Sequence, residues 1–185
     1  MMNLRSLLVL VVGILILAPA AAAQEPPPTP ETLRASAQER MRQDAAVYSS
    51  EDLRALEELY QSANRDLRSP GAKDILRRVV SQYPKSNRAG SAVLYLAQLS
   101  SGEEREAYLK TALEQHSDTW YGNGVQVGAF ARAQLAAYYN AMGKTDEAKM
   151  LASEVVERYP GAIDHRGRPL ADMLRKMNLV PASES

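Results

Sequence analysis

Two histidines, His116 and His165, are the side chains of this chain most able to do acid–base or metal chemistry, and each has an aspartate close by in sequence, Asp118 and Asp164. A metal site or a proton-transferring pair requires such groups to converge in space. Nothing in their spacing demands it, so both histidines read as exposed turn residues. There is no nucleophile motif, phosphate-cradling glycine loop or helical histidine pair, and Gly122-Asn123-Gly124 is too short to be more than a turn. With no cysteine, disulfides, thiolate catalysis, thiolate zinc sites and an N-terminal lipoprotein anchor are excluded together. Basic and acidic residues balance at 22 each, without the positive excess that a nucleic-acid binder carries. The expectation is a protein that is not an enzyme and needs no cofactor.

What remains is the chemistry of contact. The only tryptophan, Trp120, and its neighbour Tyr121 sit in the polar, glycine-bearing segment 116–124, where aromatic side chains can act as recognition anchors. Trp120 can equally be a plug that fills space against Phe130. Trp120, Tyr121, Phe130, Gln134 and Asn140 are therefore the candidate contacts for a partner protein or peptide.

The elements that must position them are helical. Alanine, leucine, arginine and glutamate dominate, and valine occurs in short clusters without strand-like alternation. Leu53, Leu56, Tyr60, Ala63 and Leu67 fall on one helical face, with Ser49 or Ser50 available as cap. Ser69-Pro70 opens a second helix that ends at Tyr83-Pro84, and Asn87 starts a third that closes at Ser100-Ser101-Gly102. Further helices are predicted over 103–115, 125–142 and 146–158, with Gly143 as a stop and Thr145 as a cap. Leu170, Met173, Leu174 and Met177 mark a one-faced terminal helix that looks like a cap on the last layer.

The pattern repeats. Ala148, Ala152, Val155 and Pro160 have the spacing of Ala72, Leu76, Val79 and Pro84, and Leu94, Gly102 and Ala107 that of Leu135, Gly143 and Ala148. This resembles the tetratricopeptide family, most fully over Leu135, Ala136, Tyr139, Gly143, Ala148, Ala152, Val155 and Pro160. Arg132 stands where an aromatic residue is expected, and the other copies are degenerate, with Leu67 in place of a turn glycine in the first. The resemblance implies an all-α fold of antiparallel helical hairpins stacked as a short right-handed solenoid, with a C-terminal capping helix. It implies a non-catalytic interaction or scaffolding role; the basic groove clamp of some members is missing, since Ala133, Ala137 and Asn140 occupy those positions. Tyr-Pro followed by a helix of small residues is similar, more narrowly, to periplasmic tetratricopeptide proteins of the Tol-Pal-associated and outer-membrane assembly kind.

Arg5, an apolar run from Leu7 to Leu17 and an Ala-rich end at Ala23 make residues 1–23 a signal peptide, or else an uncleaved anchor. Either reading sends the domain across a membrane, to the periplasm or otherwise out of the cell. Residues 24–30, rich in proline, are a stiff spacer; 31–48 an N-terminal helix; 49–177 the repeat domain; and 178–185 a flexible tail. Two rival functions are a membrane-tethered structural subunit of an envelope complex and an enzyme with an unrecognised site.

Overall fold

The computed structural model describes residues 28–182, and in them every regular element is helical. The helices are α1 (Pro30–Gln43), α2 (Ser50–Asn64), α3 (Ala72–Gln82), α4 (Asn87–Gln98), α5 (Gly102–Gln115), α6 (Val127–Ala141), α7 (Thr145–Arg158) and α8 (Leu170–Lys176), with a 3₁₀ turn at Asp44–Ala46. The signal-peptide reading, Gln24 to Pro27 of the spacer and the last three residues of the tail lie outside the described residues.

From α2 onward each helix packs on the next, and α2, α4, α6 and α8 also meet one another in that order. Those alternate contacts define a tetratricopeptide-like solenoid: α2–α3, α4–α5 and α6–α7 are stacked hairpins, and α8 is the first helix of a fourth unit, closing the stack. Local chemistry starts several of these helices. Ser49 Oγ accepts from the Asp52 amide at 3.1 Å while the Asp52 carboxylate accepts from the Ser49 amide at 3.2 Å, a reciprocal cap at the start of α2. Ser86 Oγ accepts from the Ala89 amide and starts α4. Gly102 and Gly143 take positive φ at the turns within the second and third hairpins, where a side chain would be strained.

Small side chains let the helices nest. Ala136 and Ala148 have no exposed surface and share one core with Ala112, Ala129, Ala133 and Ala152. α4 sits between two such cores: Ala92 and Leu96 face Leu56, Tyr60 and Leu76, whereas Val93, Leu94 and Ala97 face α5 and α6. A helix apolar on nearly all sides, as α4 and α6 are, is stable only when enclosed in this way.

Several boundaries differ from expectation. Pro30 is not in the spacer but at the first position of α1, where its missing amide hydrogen costs nothing and Thr29 caps the turn. α3 begins at Ala72, because Ser69–Gly71 form a turn, and α6 begins at Val127, because Val125 and Gln126 belong to the preceding loop. Thr145 is inside α7, with Lys144 at the cap position. Residues 178–182 are not a free tail. Asn178 has φ 57°, the Leu179 amide donates to the Leu174 carbonyl, and Leu179 is buried. A left-handed residue followed by an apolar one closes a helix by hydrogen bonding its last carbonyls. Among the described residues no helix is long and apolar enough to cross a membrane.

Candidate functional site

The segment between α5 and α6 is a small β-like hairpin. The Val127 amide donates to the Thr119 carbonyl at 2.9 Å, Tyr121 to Val125 at 2.8 Å, and Gly124 to Tyr121 at 3.0 Å. The same three bonds recur 43 residues later, between α7 and α8: Leu170 to Ala162, Asp164 to Arg168 and Gly167 to Asp164. Gly124 and Gly167 both take positive φ, 90° and 75°, at the same place in the turn. The enlarged loop is thus a repeated part of the architecture.

Successive side chains of an extended segment point to opposite sides, so the hairpin sends Trp120 and Tyr121 in different directions. Tyr121 points inward and is 5% exposed; its ring lies edge-on to Tyr95 of α4 at 5.5 Å and to His165 at 4.4 Å, and its hydroxyl donates to the Ser91 carbonyl. Burial pushes the Tyr121 hydroxyl well above its ordinary pKa, which keeps it a donor. Trp120 is only partly buried and faces α1. The residue wedged between helix and loop is therefore Tyr121, not Trp120.

Buried polar groups hold the hairpin in place. Asn87, fully buried at the first position of α4, donates to the Trp120 carbonyl at 2.6 Å and accepts from the Trp120 amide at 2.7 Å. The Asn87 amide donates to the Asp44 carboxylate, which also accepts from Arg40 at 2.8 Å. Arg40 reaches on to Asp118 at 3.1 Å and to the Lys85 carbonyl at 3.2 Å. No sequence signal marked Arg40 or Asp44, and Asn87 was marked only as the start of a helix; the one available hint to its second role was that Ser86-Asn87 offers two capping residues where one suffices.

α1 lies across the row of loops that join one hairpin to the next. Pro28 sits on Gly161 of the third loop, Leu33 on Gly124 of the second, and Arg40 binds Lys85 of the first. Fourteen helical residues span roughly 21 Å, which matches two steps of stacked helices at about 8–10 Å each. Only Leu33 and Ala37 of α1 are buried. Between α1, the Trp120 hairpin and residues 158–162 is a cleft of about 530 Å³. Its walls include Leu33, Ser36, Trp120, Tyr159 and Pro160, and among the described residues Arg158 is its one charged lining residue. A shallower hollow of about 620 Å³ lies further along α1, toward its C-terminal end, and Ser36 and Trp120 border both.

The other predicted contacts lie elsewhere. Phe130 is 7% exposed and edge-on to His165 at 5.0 Å; Gln134, one turn further along α6, accepts from Arg105 at 3.0 Å. They share a gap of about 10 Å³ between α4 and α6, too small for a ligand group. Asn140 is ten residues beyond Phe130, roughly 15 Å along the helix, and partly buried. So the structure brings Trp120 to a cleft, places Tyr121 and Phe130 in the core that backs it, and leaves Gln134 and Asn140 apart. His116 is not an exposed turn residue: it is 2% exposed, because it closes α5 and packs on Gly90. Burial lowers its pKa, against the raising effect of Asp118. His165 is exposed. Among the described residues no group of three or more His, Asp or Glu is arranged to hold a metal ion.

Residues 59–86 and 134–162 match the family model of the tetratricopeptide repeat. The first and third hairpins are therefore similar to tetratricopeptide repeats. Both matched segments run from the later part of a first helix through the second helix into the loop row, ending at Ser86 and at Ala162. The middle repeat, α4–α5, is not matched, and its first helix is where Gly90 and Ser91 make room for the Trp120 hairpin. No curated protein matches the chain, and no solved structure does. The narrower likeness to Tol-Pal-associated proteins therefore has no relative behind it. Tetratricopeptide repeats generally mediate protein–protein interaction, and the fold is typically a non-catalytic module.

Proposed function

We propose that the protein is a non-catalytic interaction module of the bacterial cell envelope that grips a partner protein or peptide in the Trp120 cleft. The observation that carries this reading is the cleft itself. There a large aromatic side chain is partly exposed, backed by buried Tyr121 and fixed through both backbone atoms by Asn87. A rigid aromatic anchor beside an apolar hollow loses little entropy when a partner docks, which is what concentrates binding energy at such residues. The groove along α4 and α6 is a weaker site, because Tyr121 and His165 already lie over it. Export rests on the Arg5, Leu7-to-Leu17 and Ala23 pattern.

A photo-crosslinking residue at Ser36, on the cleft wall, tests the site in living cells, with Met150 on the exposed face of α7 as control. A discrete adduct from position 36, missing from position 150 and lost with Trp120→Ala, is the expected result. Equal labelling from both positions would refute the site, and recovery of the protein in the cytoplasmic fraction would refute the compartment.

A further inference from the structure

We propose that the loop row binds an extended acidic peptide of a partner protein. The Trp120 cleft and a smaller pocket beyond Tyr159-Pro160 form one groove, whose apolar walls take alternate side chains of the peptide and whose two arginines, Arg158 and Arg175, take its carboxylates. This rests on the cleft being the binding site, and it adds the chemistry of what is bound.

The smaller pocket, of about 170 Å³, lies where α7 meets α8. Val155, Val156, Pro169 and Ala171 are among its walls, and Tyr159, Pro160 and Ala162 line both it and the cleft. The two hollows therefore run together along the loops, past one shared aromatic ring. An extended segment sends successive side chains to opposite sides at about 3.3 Å per residue. Laid along such a groove, it can bury apolar side chains against the floor and carry polar ones at the rim.

Charge selects which polar ones. Among the described residues, Arg158 and Arg175 are the charged groups that line the two hollows, and each is short of partners. Glu154 accepts from Arg132 Nε at 2.8 Å, so its contact with Arg158 is left long, at 3.7 Å. The Arg158 guanidinium rests instead 5.8 Å from the centre of the Tyr159 ring, at the shared wall, and its side chain is 60% exposed. Arg175 donates from Nη1 to Asp172 at 2.9 Å, while its Nε is shut off from water without an acceptor. The Nε–Nη2 edge of a guanidinium can grip a carboxylate through two parallel bonds, and a small turn of Arg175 would bring that edge to an entering carboxylate. Single cations set in separate apolar hollows, on a chain of zero net charge, suit isolated carboxylates; a nucleic acid or an anionic lipid surface calls for clustered cations.

The probe is a nine-residue peptide alternating leucine and glutamate, acetylated and amidated so that its termini carry no charge, with a leucine–glutamine peptide as its neutral match. Binding to the full chain is followed by the emission of Trp120, the only tryptophan, which lines the cleft. The expected result is saturable binding of the glutamate peptide and affinity lower by about tenfold or more for the glutamine peptide. Arg158→Gln and Arg175→Gln should each weaken the glutamate peptide by about tenfold, as the loss of one charge-assisted contact implies. Arg78→Gln, on the exposed side of α3, should bind as the parent does, and far-UV circular dichroism checks each fold. Arg158→Glu with Arg175→Glu should prefer a leucine–lysine peptide. Equal affinity for the glutamate and glutamine peptides, or unchanged binding in both glutamine variants, overturns the proposal. So does displacement of the peptide by tripolyphosphate at equal concentration, which would make the groove a general anion site. If neither peptide binds, the acidic partner is refuted: Ser36 adducts that persist then keep the cleft as the partner site, and adducts that are absent as well remove the cleft reading with it.

Discussion

Alanine in place of Gly90 should destabilise the protein, although the same change in an open helix would stabilise it by about 1 kcal/mol. Gly90 lies within α4 and faces the base of the Trp120 hairpin, where a Cβ would approach Thr119 Oγ1 and lie 2.8 Å from the Thr119 Cβ. Thr119 cannot step aside cheaply. It is 1% exposed, its hydroxyl donates to the His116 carbonyl at 2.7 Å, and its own carbonyl holds the Val127 amide at the start of α6. Overpacking of a filled core costs about 1–3 kcal/mol, and loosening the threonine bond about 1 kcal/mol more. Less the helix-propensity gain, the net loss is about 1–3 kcal/mol. Urea unfolding followed by circular dichroism measures it, with Gly71→Ala, whose Cβ would meet nothing within 4 Å, as a control that should be near neutral. Gly90→Ala combined with Thr119→Ala should recover part of the loss. A Gly90→Ala protein as stable as the parent would mean that the hairpin does not pack on α4, and the account of the site would fall with it.

Asn87→Ala removes two short bonds to the Trp120 backbone and leaves those groups unpaired in the protein interior; a loss of about 2–3 kcal/mol and a red-shifted Trp120 emission are expected, and an unchanged spectrum would contradict the anchoring role. Gly124→Ala sets a Cβ at positive φ, 3.0 Å from Leu33 Cβ and 3.2 Å from the Arg34 amide nitrogen, so α1 should lift and trypsin should cut at Arg34 and Arg40 several times faster. Burial depresses the pKa of His116 below its unfolded value of 6.5, so the unfolded chain binds the extra proton first. Stability should then be level above about pH 6.5 and decline as the pH falls from there toward the lower folded value. Denaturant titrations between pH 8 and pH 5 check this, and His116→Leu should flatten the decline; an equal slope in both proteins would show that His116 is not its source.

Repetition was legible because it is written in side-chain size. Ala72, Ala148 and Ala152 mark positions where a larger residue would hold the helices apart, and the Tyr-Pro pairs at 83–84 and 159–160 mark where each second helix must stop. The second hairpin was not legible, since its form is carried by main-chain bonds. Trp120 and Tyr121 correspond there to Ile163 and Asp164, and only the glycines at 124 and 167 agree in type. The role of α1 was hidden for another reason. Arg40 meets Asp118 across 78 residues and Asp44 meets Asn87 across 43, separations without a period and without a local motif. Trp120 was found by composition alone, but which way it faces follows from strand alternation, and that requires knowing that the loop is a hairpin.

The middle repeat departs from the family pattern where the hairpin needs space, and this departure explains where a cleft can exist. Gly90 and Gly128 give up helix propensity so that Thr119 and Ser117 can approach the backbones of α4 and α6; a Cβ at Gly128 would lie 2.5 Å from the Ser117 carbonyl. That close approach carries Tyr121 onto α4, and His165 of the second hairpin lies over Phe130, so that the two together cover the face that the first helices would otherwise present. Once that face is covered, open apolar surface is left along the loop row, where α1 crosses but buries only two side chains. A helix held by one leucine, one alanine and the Arg40 bonds is among the least costly elements of the fold to displace. Local stability is thus low along α1 beside Trp120, and a partner that enters the cleft meets a helix that few contacts hold in place.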